Sequence, residues 1–98
     1  MFFDLPVTTK PDRRNYTDFR KYLIKSGYMM IQFSVYSRIV RNHDDSKKYI
    51  RDLKRNLPPK GSVRVMIVTE KQYNSIEILV GEKTATEDFL TDEDILEI

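Results

Sequence analysis

Two helical periodicities alternate with β-rich runs in a chain of only 98 residues, and that alternation leaves few folds open to it. Thr9-Lys10-Pro11-Asp12 has the form of a helix start: a hydroxyl residue, an acid three positions later, and Pro inside the first turn. The spacing predicts a helix from there to about Ser26, with Gly27 as its left-handed stop. At about 100° per residue, Tyr16, Phe19 and Leu23 make one apolar face with Ile24 at its edge. Arg20 falls inside that arc, so its stem should pack while its head reaches out. Asn42 or Asp44 can cap a second helix, running to about Asn56 with an apolar stripe of Tyr49, Ile50, Leu53 and Leu57. Pro58-Pro59-Lys60-Gly61 breaks it off.

The runs between the helices read as strands. Met1–Asp4 is a short one that ends on a carboxylate just before Leu5-Pro6. Tyr28–Arg41 is rich in β-branched and aromatic residues and has no Gly or Pro. It is either one long bulged strand or two strands hinged near Gln32–Ser34. Ser62–Thr69 shows the cleanest alternation, Val63, Val65 and Ile67 against Arg64, Met66 and Val68, and is expected to form one strand. A turn or single helical turn at Glu70–Asn74 leads to a further expected strand at Ser75–Val80. The order is strand, helix, strand region, helix, strand, strand. An α+β sandwich fits it: a ferredoxin-like βαββαβ arrangement, with an antiparallel sheet and both helices on one face.

Composition limits what such a chain can be. Hydrophobic residues are 40% and charged residues 33%, so the core is thin, and a chain of this kind often gains core by pairing with a copy of itself. Without cysteine, disulfides and thiolate metal sites are excluded. No apolar run approaches membrane length and nothing resembles a signal peptide, so a cytoplasmic protein without a membrane partner is expected. The net charge of +2 hides a division. Residues 1–81 carry sixteen Lys/Arg against eight Asp/Glu, and residues 82–98 carry one Lys against seven acids. The chain therefore divides into a folded body, 1–81, and an acidic tail or docking strand, 82–98, whose last residues alternate well enough to add to a sheet edge.

A basic body calls for a polyanion. On the first helix, Lys10, Arg14, Lys21 and Lys25 fall together beside the apolar face, with Arg13 close by and only Asp12 and Asp18 interleaved. The element has no set of base-reading polar residues, so its contacts should be to the backbone of a duplex and insensitive to sequence. Asp4, at the carboxyl end of a strand, should emerge on the rim of the sheet, where a turn-forming or capping role is the ordinary one. His43, the only histidine, sits in a loop beside Asn42 and Asp44 and reads as a surface residue. No Gly-rich phosphate loop is present, and no Ser/His/Asp set can be assembled.

Phe3-Asp4-Leu5-Pro6, then QFSVYS from Gln32, PPKG from Pro58 and VTEKQ from Val68 form an ordered set. Together they resemble the small CRISPR-associated adaptation protein, the "Cas-two" family, in wording closest to the type II systems. The resemblance covers about residues 1–81. It implies the same ferredoxin-like fold, a homodimer, and a late strand exchanged with the partner, residues 75–80 or 94–98 being the candidates. It implies metal binding and nuclease action for the matching aspartate, Asp4, with one Mg²⁺ shared between two copies across the dimer axis; Ser34 and Tyr36 are candidate neighbours. Family members carry more apolar residues ahead of the aspartate, which implies a late start codon or a trimmed N-terminus. Two roles follow by resemblance. One is a dimer that holds double-stranded DNA and bridges copies of the CRISPR adaptation integrase during spacer acquisition. The other is a Mg²⁺-dependent endonuclease cutting single-stranded RNA or double-stranded DNA.

Overall fold

The computed structural model describes residues 1–81 and 95–98, and the expectations placed on 82–94 lie outside the described residues. Helix α1 spans Lys10–Lys25. Its start is the expected capping box: the Asp12 N–H donates to Thr9 Oγ1 at 3.2 Å and the Thr9 N–H donates to Asp12 Oδ2 at 3.3 Å. Gly27 stops it at φ 89°. Helix α2 spans His43–Lys54 and is capped by Asn42 rather than Asp44, with Asn42 Oδ1 accepting from the Asp45 N–H at 2.8 Å.

Strand β1 (Phe2–Asp4) pairs antiparallel on both sides, which makes three residues central to the sheet. On one side Phe2 faces Val35 of β3 (Val35–Val40). On the other, Phe2, Phe3 and Asp4 face Arg64, Val63 and Ser62 of β4 (Ser62–Arg64). The Tyr28–Arg41 run resolves into two strands, β2 (Met29–Gln32) and β3, hinged at Phe33–Ser34 with a register shift between Met30 and Gln32.

Two strand expectations are corrected. Ser62–Thr69 is not one strand, for it breaks after Arg64 and resumes as β5 (Ile67–Thr69). The two halves serve different neighbours: β4 serves β1, whereas β5 pairs with β6 (Ile95–Glu97). Met66, at the break, exchanges both backbone hydrogen bonds with Ile98. Ser75–Val80 forms no strand. The single helical turn α3 (Glu70–Asn74), boxed by Thr69 and Gln72, ends just before it. Residues 95–97 fill the place between β3 and β5 instead, leaving Leu79 and Val80 at 87% and 95% exposure. Strand β6 thus pairs with its own chain.

Both helices cover the sheet face onto which Phe3 and Tyr36 point. The core gathers Met1, Phe3, Leu5, Phe19, Leu23, Tyr28, Tyr36 and Leu53. Phe3 is its hub, edge-on to Phe19 at 5.3 Å and stacked on Tyr36 at 5.7 Å. Ile24 and Leu57, at the margins of their stripes, stay exposed. The Arg38 guanidinium lies 3.6 Å over the Tyr49 ring and donates to the Ser26 carbonyl, tying the end of α1 and the middle of α2 to β3. Among the described residues no helix is long and apolar enough to cross a membrane.

Candidate functional site

The pleat of β1 sends Phe3 into the core and leaves Phe2 and Asp4 on the opposite, open face. The ladder then supplies Asp4 with neighbours from distant sequence. Ser62 stands directly opposite it, and Arg64 lies two residues along on the same face, opposite Phe2. Ser34 reaches the same place from the β2–β3 turn, where its φ of 66° turns the chain and its carbonyl accepts the Phe3 N–H at 3.0 Å. These residues, with Phe2 and Val35, line a shallow cleft of about 400 Å³. Gly61 holds one wall tight: a Cβ there would stand 2.6 Å from the Asp4 carbonyl oxygen.

Of the residues singled out from the sequence, Asp4 and Ser34 are brought together and Tyr36 is not. Tyr36 is 1% exposed and belongs to the core face, its hydroxyl accepting from Arg20 Nε at 3.2 Å. That bond also accounts for Arg20, whose stem lies in the apolar arc while its head finds a polar partner. Ser62 and Arg64 were not foreseen as neighbours of Asp4. The alternation around Val63 puts both on one face, but only the β1–β4 pairing says which acid they join.

Mg²⁺ takes near-octahedral oxygen coordination, usually from one or two carboxylates with waters. Among the described residues no three His, Cys, Asp or Glu side chains cluster. One chain thus offers the ion a single exposed carboxylate flanked by serine hydroxyls, which fits it only as half of a site completed by a second copy. His43, exposed at the start of α2, does not line this cleft.

The second candidate surface is α1. Lys10, Arg14, Lys21 and Lys25 are all exposed and lie within about 60° of arc on the helix. Arg13 is partly engaged, its Nη1 donating to the Thr8 carbonyl at 3.0 Å and the Val7 carbonyl at 3.4 Å. Around α2, by contrast, Arg41 pairs with Asp45 at 3.7 Å and Arg55 with Asp52 at 3.6 Å. No such acid partner is seen for the α1 cations among the described residues.

A helix-backed antiparallel sheet with an exposed acid, Asp4, on its open face, and a basic helix across the sheet from it, defines a small ferredoxin-like α+β protein. Residues 1–76 match the family model described as CRISPR associated protein Cas2, and the chain belongs to that family. Its relatives include a protein of Acidovorax ebreus, 57% identical over 81 residues, which cover 83% of this chain and 79% of the relative. Another, from Treponema denticola, is 52% identical over 93 residues, 95% of this chain and 91% of its own. A third, from Ligilactobacillus salivarius, is 45% identical over 83 residues, 85% and 82% of the two chains. All three are named CRISPR-associated endoribonuclease Cas2.

Proposed function

We propose that the chain acts in the cytoplasm in CRISPR adaptation, as a homodimer that grips double-stranded DNA by its backbone and bridges copies of the adaptation integrase. The observation that carries this reading is the basic stripe on α1, which has no acid partner among the described residues. From Lys10 to Lys25 it runs about 22 Å at 1.5 Å per residue. Phosphates on one strand recur every ~3.4 Å of duplex axis, so the stripe can follow roughly six of them. A two-fold partner doubles it on one surface. The open side of the fold supports a partner, since Phe2, Ile39 and Met66 are exposed there or at its margin and Ile76, Ile78, Leu79 and Val80 are exposed and unpaired in the sheet. Exchange of residues 75–80 with the second copy would cover such surface, with residues 95–97 kept on their own chain. The test is co-purification with the integrase followed by a spacer-insertion assay. Wild type and Asp4→Ala should both insert, and a folded, DNA-binding Asp4→Ala dimer that fails to insert overturns the purely structural role.

The second reading is a metal-dependent endonuclease acting on single-stranded RNA or double-stranded DNA. It is favoured by the exposure of Asp4 among hydroxyls and by the name its relatives carry. Two Asp4 carboxylates would hold one Mg²⁺, which when bound supplies charge stabilisation and an activated water. Asp4→Ala should then abolish metal-dependent cleavage and leave the dimer folded.

A further inference from the structure

We propose that Ser62 and Arg64 form a phosphate-binding subsite beside Asp4, which takes one phosphodiester of a single-stranded nucleic acid. The inference extends the nuclease reading by naming what holds its substrate. Arg64 is exposed on the cleft, and neither its side chain nor that of Asp4 has a hydrogen bond or ion pair among the described residues. Diagonal positions of an antiparallel pair lie about 7–8 Å apart at the backbone, within reach of a long side chain, yet Arg64 and Asp4 form no ion pair. Both ends are therefore left for a ligand, and one tetrahedral phosphate can lie between them. The Arg64 guanidinium would grip its non-bridging oxygens, and the Ser62 hydroxyl, directly across from Asp4, would donate to it from the side. Asp4 then faces the far side of the same phosphorus.

Val63, between the two donors, packs against the core and fixes both on the open face. The size of the cleft, about 400 Å³, lies at the lower end of small-molecule sites and suits one nucleotide rather than a duplex. It also lies across the sheet from α1, so its ligand is held independently of the basic stripe. The competing role for Arg64 is that of an edge-strand charge, because β4 ends the sheet and edges are commonly guarded by cations.

The experiment measures binding of a fluorescent eight-nucleotide single-stranded RNA to the full chain in EDTA, by anisotropy, across a salt series. Arg64→Gln should weaken binding by about tenfold, the worth of one hydrogen bond to a charged group. It should also lower the slope of log affinity against log salt by about 0.7. Arg64→Lys should recover part of the loss, a point charge replacing a fork. Asp4→Asn should tighten binding by removing a like charge that faces the phosphate. Unchanged affinity and slope in Arg64→Gln would leave only the edge role. An equal loss for a blunt duplex would refute the single-strand assignment. A change in molecular mass on light scattering would mean that Arg64 acts through assembly, which also overturns the proposal. All of these readouts stand without cleavage, so a wild type that cuts nothing would end the nuclease reading and leave the subsite to be decided by binding.

Discussion

Gly61 is where fold and site meet most tightly, and Gly61→Ala should be among the costliest small substitutions in the chain. Two penalties add. The residue sits at φ 98°, a conformation L side chains rarely adopt. The new methyl would also stand 2.6 Å from the Asp4 carbonyl oxygen and 2.7 Å from Leu5 Cδ2. Backbone strain of this kind costs about 1–3 kcal/mol and overpacking about the same again, a total of roughly 2–6 kcal/mol. For a domain of this size each kcal/mol moves Tm by about 4–8 °C, so a fall of roughly 10–50 °C is expected. Gly81→Ala separates the two penalties. Its φ is 113°, but the nearest atom to a Cβ there is Ile78 Cγ2 at 4.0 Å, so only the conformational cost applies. Thermal melts by circular dichroism on both variants measure the difference. If Gly61→Ala melts with Gly81→Ala, the close approach of residue 61 to the Asp4 strand end is refuted. In the surviving folded fraction, displacement of Asp4 should lower metal-dependent cleavage, where wild type shows it, by more than the loss of folded protein explains.

Three further outcomes are expected. Arg14→Glu with Lys21→Glu should weaken duplex binding about equally for unrelated sequences and flatten its salt dependence by about 0.9 per lost phosphate contact, whereas a loss confined to one sequence would mean that bases are read. The Asp45 carboxyl is held below the ordinary carboxylate value chiefly by the Arg41 backbone N–H, with the charges of Arg41 and Lys48 adding to this and desolvation opposing it. Because its folded pKa is depressed, its contribution to α2 is complete above the unfolded value of 3.8 and is lost as pH falls through the lowered one; Asp45→Asn should remove that part of the acid dependence in a pH series of melts. Deleting residues 95–98 strips β3 and β5 of their shared ladder and should lower Tm; an unchanged melt would mean that β6 is not seated on its own chain in solution.

The amino-acid sequence by itself determined the features whose partners lie within a few residues. The Thr9–Asp12 box, the Gly27 stop and the Phe19–Leu23 stripe are each written in a window of one or two helical turns, because capping and amphipathicity are local interactions. The emergence of Asp4 at a strand's carboxyl end was legible from the apolar run before it and the Leu5-Pro6 after it, and the ordered motifs pointed to the family. Tertiary structure decided which strand meets which. The break between Arg64 and Ile67 leaves no mark in the alternation, since both halves keep the period while changing neighbours. Tyr36 and Ser34 look equivalent in QFSVYS, yet the turn at Ser34 and the pleat of β3 send one to the cleft and the other beneath Phe3 and Arg20. Residues 95–97, rather than 75–80, pair with β5, a choice between two apolar segments that no local preference settles. Ladder hydrogen bonds join residues far apart in the chain, so their register depends on the relative free energy of whole pairings. The company Asp4 keeps, Ser62 and Arg64 from nearly sixty residues away, is a consequence of that competition.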